Sequence, residues 1–255
     1  MSLPLVLMIG HSHLRAPHAA WEADAALRKR LEVAFAPLTG GAFRPPLDEG
    51  GRLHRSLAAL LTARRLVAVV CALQGNRHNE IALARRPEPV DTVPPGTDTL
   101  ACEGPVLPFG LMVASLRRRN ADVAALLGAL AAASAVPVFQ LDSPPPIPSE
   151  AHLRASPGGF GAIFARDGIV PAATRHRVWQ AHSAAMAAIC AEAGAHLLPV
   201  PATMQDARGM LIPEAWAADP THGNATYGAA VLAEVARLAE TLPMRADLVA
   251  RGRAS

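Results

Sequence analysis

The run Leu5-Val6-Leu7-Met8-Ile9 constrains this chain more than any other stretch. Five consecutive apolar residues near the start read as a strand buried on both faces, the kind found inside a parallel sheet. The run stops at Gly10 and delivers His11-Ser12-His13 to the strand's carboxyl end. In open α/β sheets that end is where ligands bind. A serine there is a candidate nucleophile only if the chain supplies a base and an oxyanion site elsewhere, because a lone serine after a strand is usually a turn or a helix cap.

The remaining pattern alternates strands and helices. Leu66 to Ala72 (LVAVVCA) reads as a second buried strand, Val136 to Leu141 as a third and His196 to Val200 as a short last one. Apolar residues at helical spacing mark Trp21 to Phe35, Leu53 to Arg65, Pro171 to Ala193 and Tyr227 to Leu242. Leu111 to Ala133 is one long helix or two joined near Asn120, and Ala42 to Leu47 leaves room for a short, irregular strand. Two Pro/Gly-rich excursions, 86–108 and 143–171, are expected to wall the pocket. Such alternation argues for a parallel sheet covered on both faces, here as one domain spanning 1–255.

With 51% hydrophobic and 18% charged residues, the chain of 255 can bury a substantial core. Its apolar runs are too short to span a bilayer, and its start lacks a basic leader, so a cytoplasmic protein without a membrane partner is expected. Cys71, Cys102 and Cys190 are odd in number and widely spaced, which indicates neither a disulfide framework nor a zinc knuckle. A formal charge of +3 comes from arginines scattered along the chain, with Lys29 the only lysine. The runs Arg28-Lys29-Arg30 and Arg117-Arg118-Arg119 read as solvated helix faces, so nucleic acid is not an expected partner.

Polar clusters follow the strands at Ser12, at Gly75-Asn76 and at Asp219-Pro220-Thr221-His222. In block order this resembles the SGNH hydrolases, the superfamily of the GDSL esterases and lipases, over nearly the whole chain. Ile9-Gly10-His11-Ser12-His13 fits the first block, Gly75-Asn76 the third and the D-x-x-H of Asp219 and His222 the fourth. The strings GNRHN, SPPP and DPTHGNATYG also look like those of a bacterial subgroup of that superfamily. The resemblance implies a three-layer α/β/α sandwich with a mostly parallel, flavodoxin-like sheet of about five strands. It also implies ester hydrolysis through an acyl-enzyme, without a cofactor.

In that reading Ser12 is the nucleophile, His222 the base that takes its proton, and Asp219 the carboxylate that orients His222. The oxyanion donors are the Ser12 backbone N–H, the Asn76 side-chain amide and a second-block glycine. Gly51 is the choice for that glycine, with Gly50, Gly40 and Gly41 as alternatives. The expected substrate is a small-molecule or carbohydrate ester with a small acyl group such as acetyl. His11 stands where the family often has aspartate, and neither it nor His13 has a role in the pattern.

The residues admit two other classes. His11, His13, His18, His78 and His222 are imidazoles for a metal hydrolase, but an H-x-H on extended chain points its rings to opposite faces and no carboxylate-rich string accompanies it. A non-catalytic carbohydrate- or ligand-binding protein on the same fold is the third reading. Ser143 reads as a loop shaper, Asn224 as a helix cap and Cys71 as an inert core thiol.

Overall fold

The first strand, β1 (Leu5–Gly10), lies between β2 (Glu32–Pro37) and β3 (Leu66–Ala72), parallel to both. This is seen in a computed structural model that describes residues 3–73, 77–85, 90–97 and 104–245. Next come β4 (Asp91–Val93) and β5 (Val106–Pro108), which form a separate two-stranded sheet, and then β6 (Val138–Leu141) and β7 (His196–Leu198). The main sheet has the order β2-β1-β3-β6-β7 and every pairing in it is parallel. Counted within that sheet this is 2-1-3-4-5, the flavodoxin-like order, whose switch point falls between β1 and β3.

The helices are α1 (Arg15–Ala23), α2 (Arg55–Leu60), α3 (Arg77–Ala82), α4 (Phe109–Arg119), α5 (Ala121–Ala133), α6 (Glu150–Ala155), α7 (Gly161–Asp167), α8 (Ala172–Ala193) and α9 (Ala225–Thr241). Alternate strand residues feed opposite faces. Val6 and Met8 of β1 join Ala20 of α1 and Val231 and Leu232 of α9 on one side. Leu7 and Ile9 join Leu57 of α2, Leu127 of α5 and Ile189 of α8 on the other. Val6, Met8, Ile9 and Val70 are wholly buried. Each such side chain contributes about 1.5–3 kcal/mol of transfer free energy, so two-sided burial, not strand propensity, holds β1 and β3 central. Among the described residues no helix is long and apolar enough to cross a membrane.

The structure corrects the expected start of the sheet. The Trp21 to Phe35 segment is not one helix: α1 ends at Ala23, and Asp24 accepts hydrogen bonds from the Ala26 and Leu27 N–H groups. A short 3₁₀ turn follows, and Glu32–Pro37 becomes the edge strand β2. Ala42 to Leu47 lies outside the sheet; Leu47 bridges back to Leu53 across a turn. The expected Leu53 to Arg65 helix shrinks to α2. The chain does break at Asn120, where α4 hands over to α5, and the Asn120 amide bonds the Leu116 carbonyl.

Within the first excursion a buried ion pair holds β4. Arg177 of α8 holds both carboxylate oxygens of Asp91, and Thr174 and the Thr92 N–H also donate to Asp91. That clasp pins β4 to α8. None of the described residues from 86–108 lines the pocket at Ser12, and residues 86–89 and 98–103 of that excursion lie outside the described residues. The second excursion contains α6 and α7 and contributes Pro144 to that pocket.

Candidate active site

Gly10, the last residue of β1, is level with Ala72 of β3 and Pro37 of β2. Ser12 therefore leaves the sheet at its switch point. It opens a 3₁₀ turn, Ser12–Leu14, that runs directly into α1. Its backbone N–H thus belongs to the first turn of a helical segment, where donors lack intrahelical partners and the dipole favours negative charge.

The opposite wall is carried by α9, which packs along α1. A Cβ built on Gly228 would fall 2.1 Å from the Ala16 carbonyl oxygen, so only glycine permits this approach. Asn224 caps α9, its side-chain oxygen accepting from the Thr226 and Tyr227 N–H groups. Its amide nitrogen reaches back to the Glu214 and Trp216 carbonyls at 2.8 and 3.0 Å. His152 of α6 contacts the Ala217 carbonyl through Nε2 at 2.9 Å. These bonds brace the Asp219–His222 turn from both flanks. The His152 brace is invisible in the sequence, since no local spacing connects the two residues.

On this frame three side chains meet. The His222 Nε2 lies 2.8 Å from Ser12 Oγ, and its Nδ1 lies 2.9 Å from Asp219 Oδ1. Asp219 Oδ1 also accepts from the backbone N–H of Thr221 at 2.8 Å and of His222 at 3.0 Å. Burial works against ionisation of Asp219, but the His222 ring and the Thr221 donors outweigh it and hold the carboxyl well below the usual carboxylate range. An ionised Asp219 takes the Nδ1 proton as an acceptor, which leaves Nε2 free to accept from the serine hydroxyl.

The flanking histidines have separate surroundings. His11 is exposed on the rim. His13 is buried, and its ring lies against that of His222, centroids 4.4 Å apart. Further in, His78 stacks on His182 with centroids 4.6 Å apart, and His182 Nε2 meets Ser143 Oγ at 3.2 Å. Burial, then the neighbouring His182 and His13, keep His78 uncharged with a pKa well below the ordinary imidazole value. A row of buried imidazoles thus backs His222.

The oxyanion assignments divide. Asn76 and Gly75 lie outside the described residues. Gly51 does not present a free donor: it is exposed at φ +75°, and its N–H already bonds the Asp48 carbonyl at 2.9 Å in the turn between Leu47 and Leu53. Gly50 sits in the same turn. Gly40 and Gly41 follow β2 directly, and Gly40 has φ +122°, a conformation that favours glycine. Sequence spacing alone favoured Gly51 because the helix after it was readable and β2 was not.

A pocket of about 120 Å³ opens at Ser12 and His222, walled by Ala16, Leu141, Pro144, Ala217 and Tyr227. Among the described residues no group of three or more His, Cys, Asp or Glu is placed to hold a metal ion.

No family model and no curated protein sequence matches the chain. Solved structures do. A Streptococcus pneumonia protein, provisionally designated a platelet activating factor, superposes with TM-score 0.51 at 13% identity, covering 94% of this chain and 85% of that one. An aryl esterase from M. smegmatis gives 0.48 at 14%, covering 94% and 100%. Est24, a carbohydrate acetylesterase from Sinorhizobium meliloti, gives 0.47 at 13%, covering 93% and 98%. At these identities the likeness is one of fold: a parallel five-stranded sheet layered between helices.

Proposed function

We propose that the protein is a serine hydrolase that cleaves a carboxylic ester through an acyl-enzyme. One observation carries this reading: Ser12 Oγ, His222 and Asp219 form an unbroken hydrogen-bonded line at 2.8 and 2.9 Å, at the switch point of the sheet.

Ser12 Oγ attacks the ester carbonyl carbon while its proton passes to His222 Nε2. The carbonyl oxygen becomes an oxyanion, for which the Ser12 N–H at the start of the helical turn is one donor. The Asn76 amide and a glycine N–H after β2 complete the set in this reading. Collapse of the tetrahedral adduct breaks the bond to the alcohol oxygen, which leaves with the proton from His222. Water then attacks the acyl-serine, giving up a proton to His222, and a carboxylic acid departs as Ser12 is restored.

The acyl half is small. A pocket of about 120 Å³ is below the roughly 150 Å³ cavity that holds a benzene ring. An acetyl-sized group fits it, and acetyl esters are the substrate class this favours.

The test is hydrolysis of p-nitrophenyl acetate with wild type and Ser12→Ala. Wild type is expected to turn over and to be labelled covalently by a fluorophosphonate, and Ser12→Ala to fold but do neither. Full activity in Ser12→Ala removes the nucleophile assignment. Wild type that is neither labelled nor active on any ester favours a binding protein.

A further inference from the structure

Beside the pocket at Ser12 lies a second, larger concavity of about 280 Å³, and Arg15 borders both. Its floor is apolar, formed by Leu14, Phe35 and Pro37. Its polar rim is His11, Arg15, His18 and Thr39, and no carboxylate is among the residues lining it. If the acyl group fills the smaller pocket, this groove is where the other half of the ester extends. The inference therefore rests on the ester-hydrolase reading.

Among the residues that line the groove, Arg15 carries the one permanent charge. Arg15 is exposed on the first turn of α1, three residues after Ser12, and its side chain forms no ion pair or hydrogen bond with a described residue. At His11, further along the rim, the charge of Asp122 acts more strongly than the opposing charge of the exposed Arg44. The nearby acids are otherwise engaged: Asp219 by His222, Glu22 with His18 at 3.7 Å, and Asp122 near Arg77 at 3.9 Å. Some surface arginines of this chain have carboxylate partners, as in Arg30 with Glu240, Arg117 with Glu192 and Arg154 with Glu150, whereas Arg15 leaves its fork open at the mouth of the Ser12 pocket. An arginine beside the nucleophile with no such partner is placed to receive an anion, and its planar fork suits a carboxylate.

We propose that the groove between α1 and β2 is the leaving-group subsite, and that Arg15 binds a negatively charged group on the alcohol released by hydrolysis. The substrate class is then an acyl ester of an acidic alcohol with an apolar face: the ring packs on Leu14 and Phe35, and its anionic substituent meets Arg15. Phe35 is held for this by the edge of His18, centroids 4.7 Å apart at 82°.

The experiment compares 4-acetoxybenzoate with its neutral isostere, methyl 4-acetoxybenzoate, in wild type, Arg15→Ala and Arg15→Glu. Both esters present the same acyl group and aryl ring, so the ratio of their kcat/KM values isolates the charge. Wild type is expected to prefer the anionic ester at low salt, and the preference to shrink as salt rises. In Arg15→Ala the ratio is expected to fall about tenfold or more, through KM, as one charged hydrogen-bonding partner is lost. In Arg15→Glu it is expected to reverse. An unchanged ratio in both variants, or an equal fall on both esters, overturns the subsite while leaving the ester-hydrolase reading intact. No turnover of either ester by wild type, together with no fluorophosphonate labelling, overturns both.

Discussion

The imidazole of His13 lies tilted by 42° against the imidazole of His222, with 4.4 Å between ring centroids. In the proposed mechanism His222 would keep Nε2 aimed at Ser12 while its charge changes, and the buried His13 face lies against its ring as a backstop. His13→Ala is expected to lower kcat by about tenfold or more with little change in KM, since small misplacements of a base are costly. His13→Phe, which restores an aromatic face, is expected to recover part of the loss. Steady-state kinetics on p-nitrophenyl acetate read both.

Asp219→Asn tests the tautomer argument. An asparagine amide can donate to Nδ1, which moves the ring proton to Nε2 and removes the acceptor Ser12 needs. The expected fall in kcat is about 10³–10⁴-fold with the fold intact. There is a stability signature too. The Asp219 carboxyl is depressed in the folded protein, so its contribution is present above the unfolded carboxylate value and is lost as pH falls through the folded one. Acid denaturation monitored by circular dichroism should therefore be shallower in Asp219→Asn than in wild type.

Asp142 titrates with the opposite sign. Burial pushes its carboxyl up to about 6 against the donors Ser183 and the Ser143 N–H. A raised carboxyl favours the folded state while protonated, and that contribution is lost as pH rises from near 4 through 6. The loss is about 3 kcal/mol by linkage. Asp142→Asn is expected to be more stable than wild type at pH 8, with the difference vanishing below pH 4. Denaturant midpoints across that range check it.

Gly228→Ala drives a methyl group into the Ala16 carbonyl, and α9 must shift from α1 to relieve it. Overpacking of this kind costs about 1–3 kcal/mol. The activity loss is expected to exceed what the stability loss explains, because α9 carries the His222 turn and α1 carries Ser12. Thermal melts and kinetics on one preparation separate the two.

The elements legible in the sequence are those whose own residues suffice. Seven buried residues in a row mark β3 at Leu66–Ala72, and the Asn224 cap announces α9. The strand β2 was hidden because Leu31, Ala34 and Phe35 satisfy a helical spacing as well as a short edge strand, and only pairing with β1 decides between them. With β2 unread, the sequence offers no reason to weigh Gly40 and Gly41, which follow that strand, above Gly51. The line Ser12–His222–Asp219 was legible as blocks in order, whereas the imidazole row was not. Residues 13, 78, 182 and 222 share no local pattern, and only the folded sheet brings them together.

Ser12 begins a turn that continues without a break into α1, and the Arg15 groove is bordered by that same first turn. In the proposed hydrolase, reactivity and selectivity would be written on one short ribbon of backbone. Residues 11–18 would then form a cassette: grafted onto another scaffold of this fold that keeps a glycine at the α9 contact, they would carry the proposed nucleophile and the proposed preference for charge together, leaving the acyl pocket to the host.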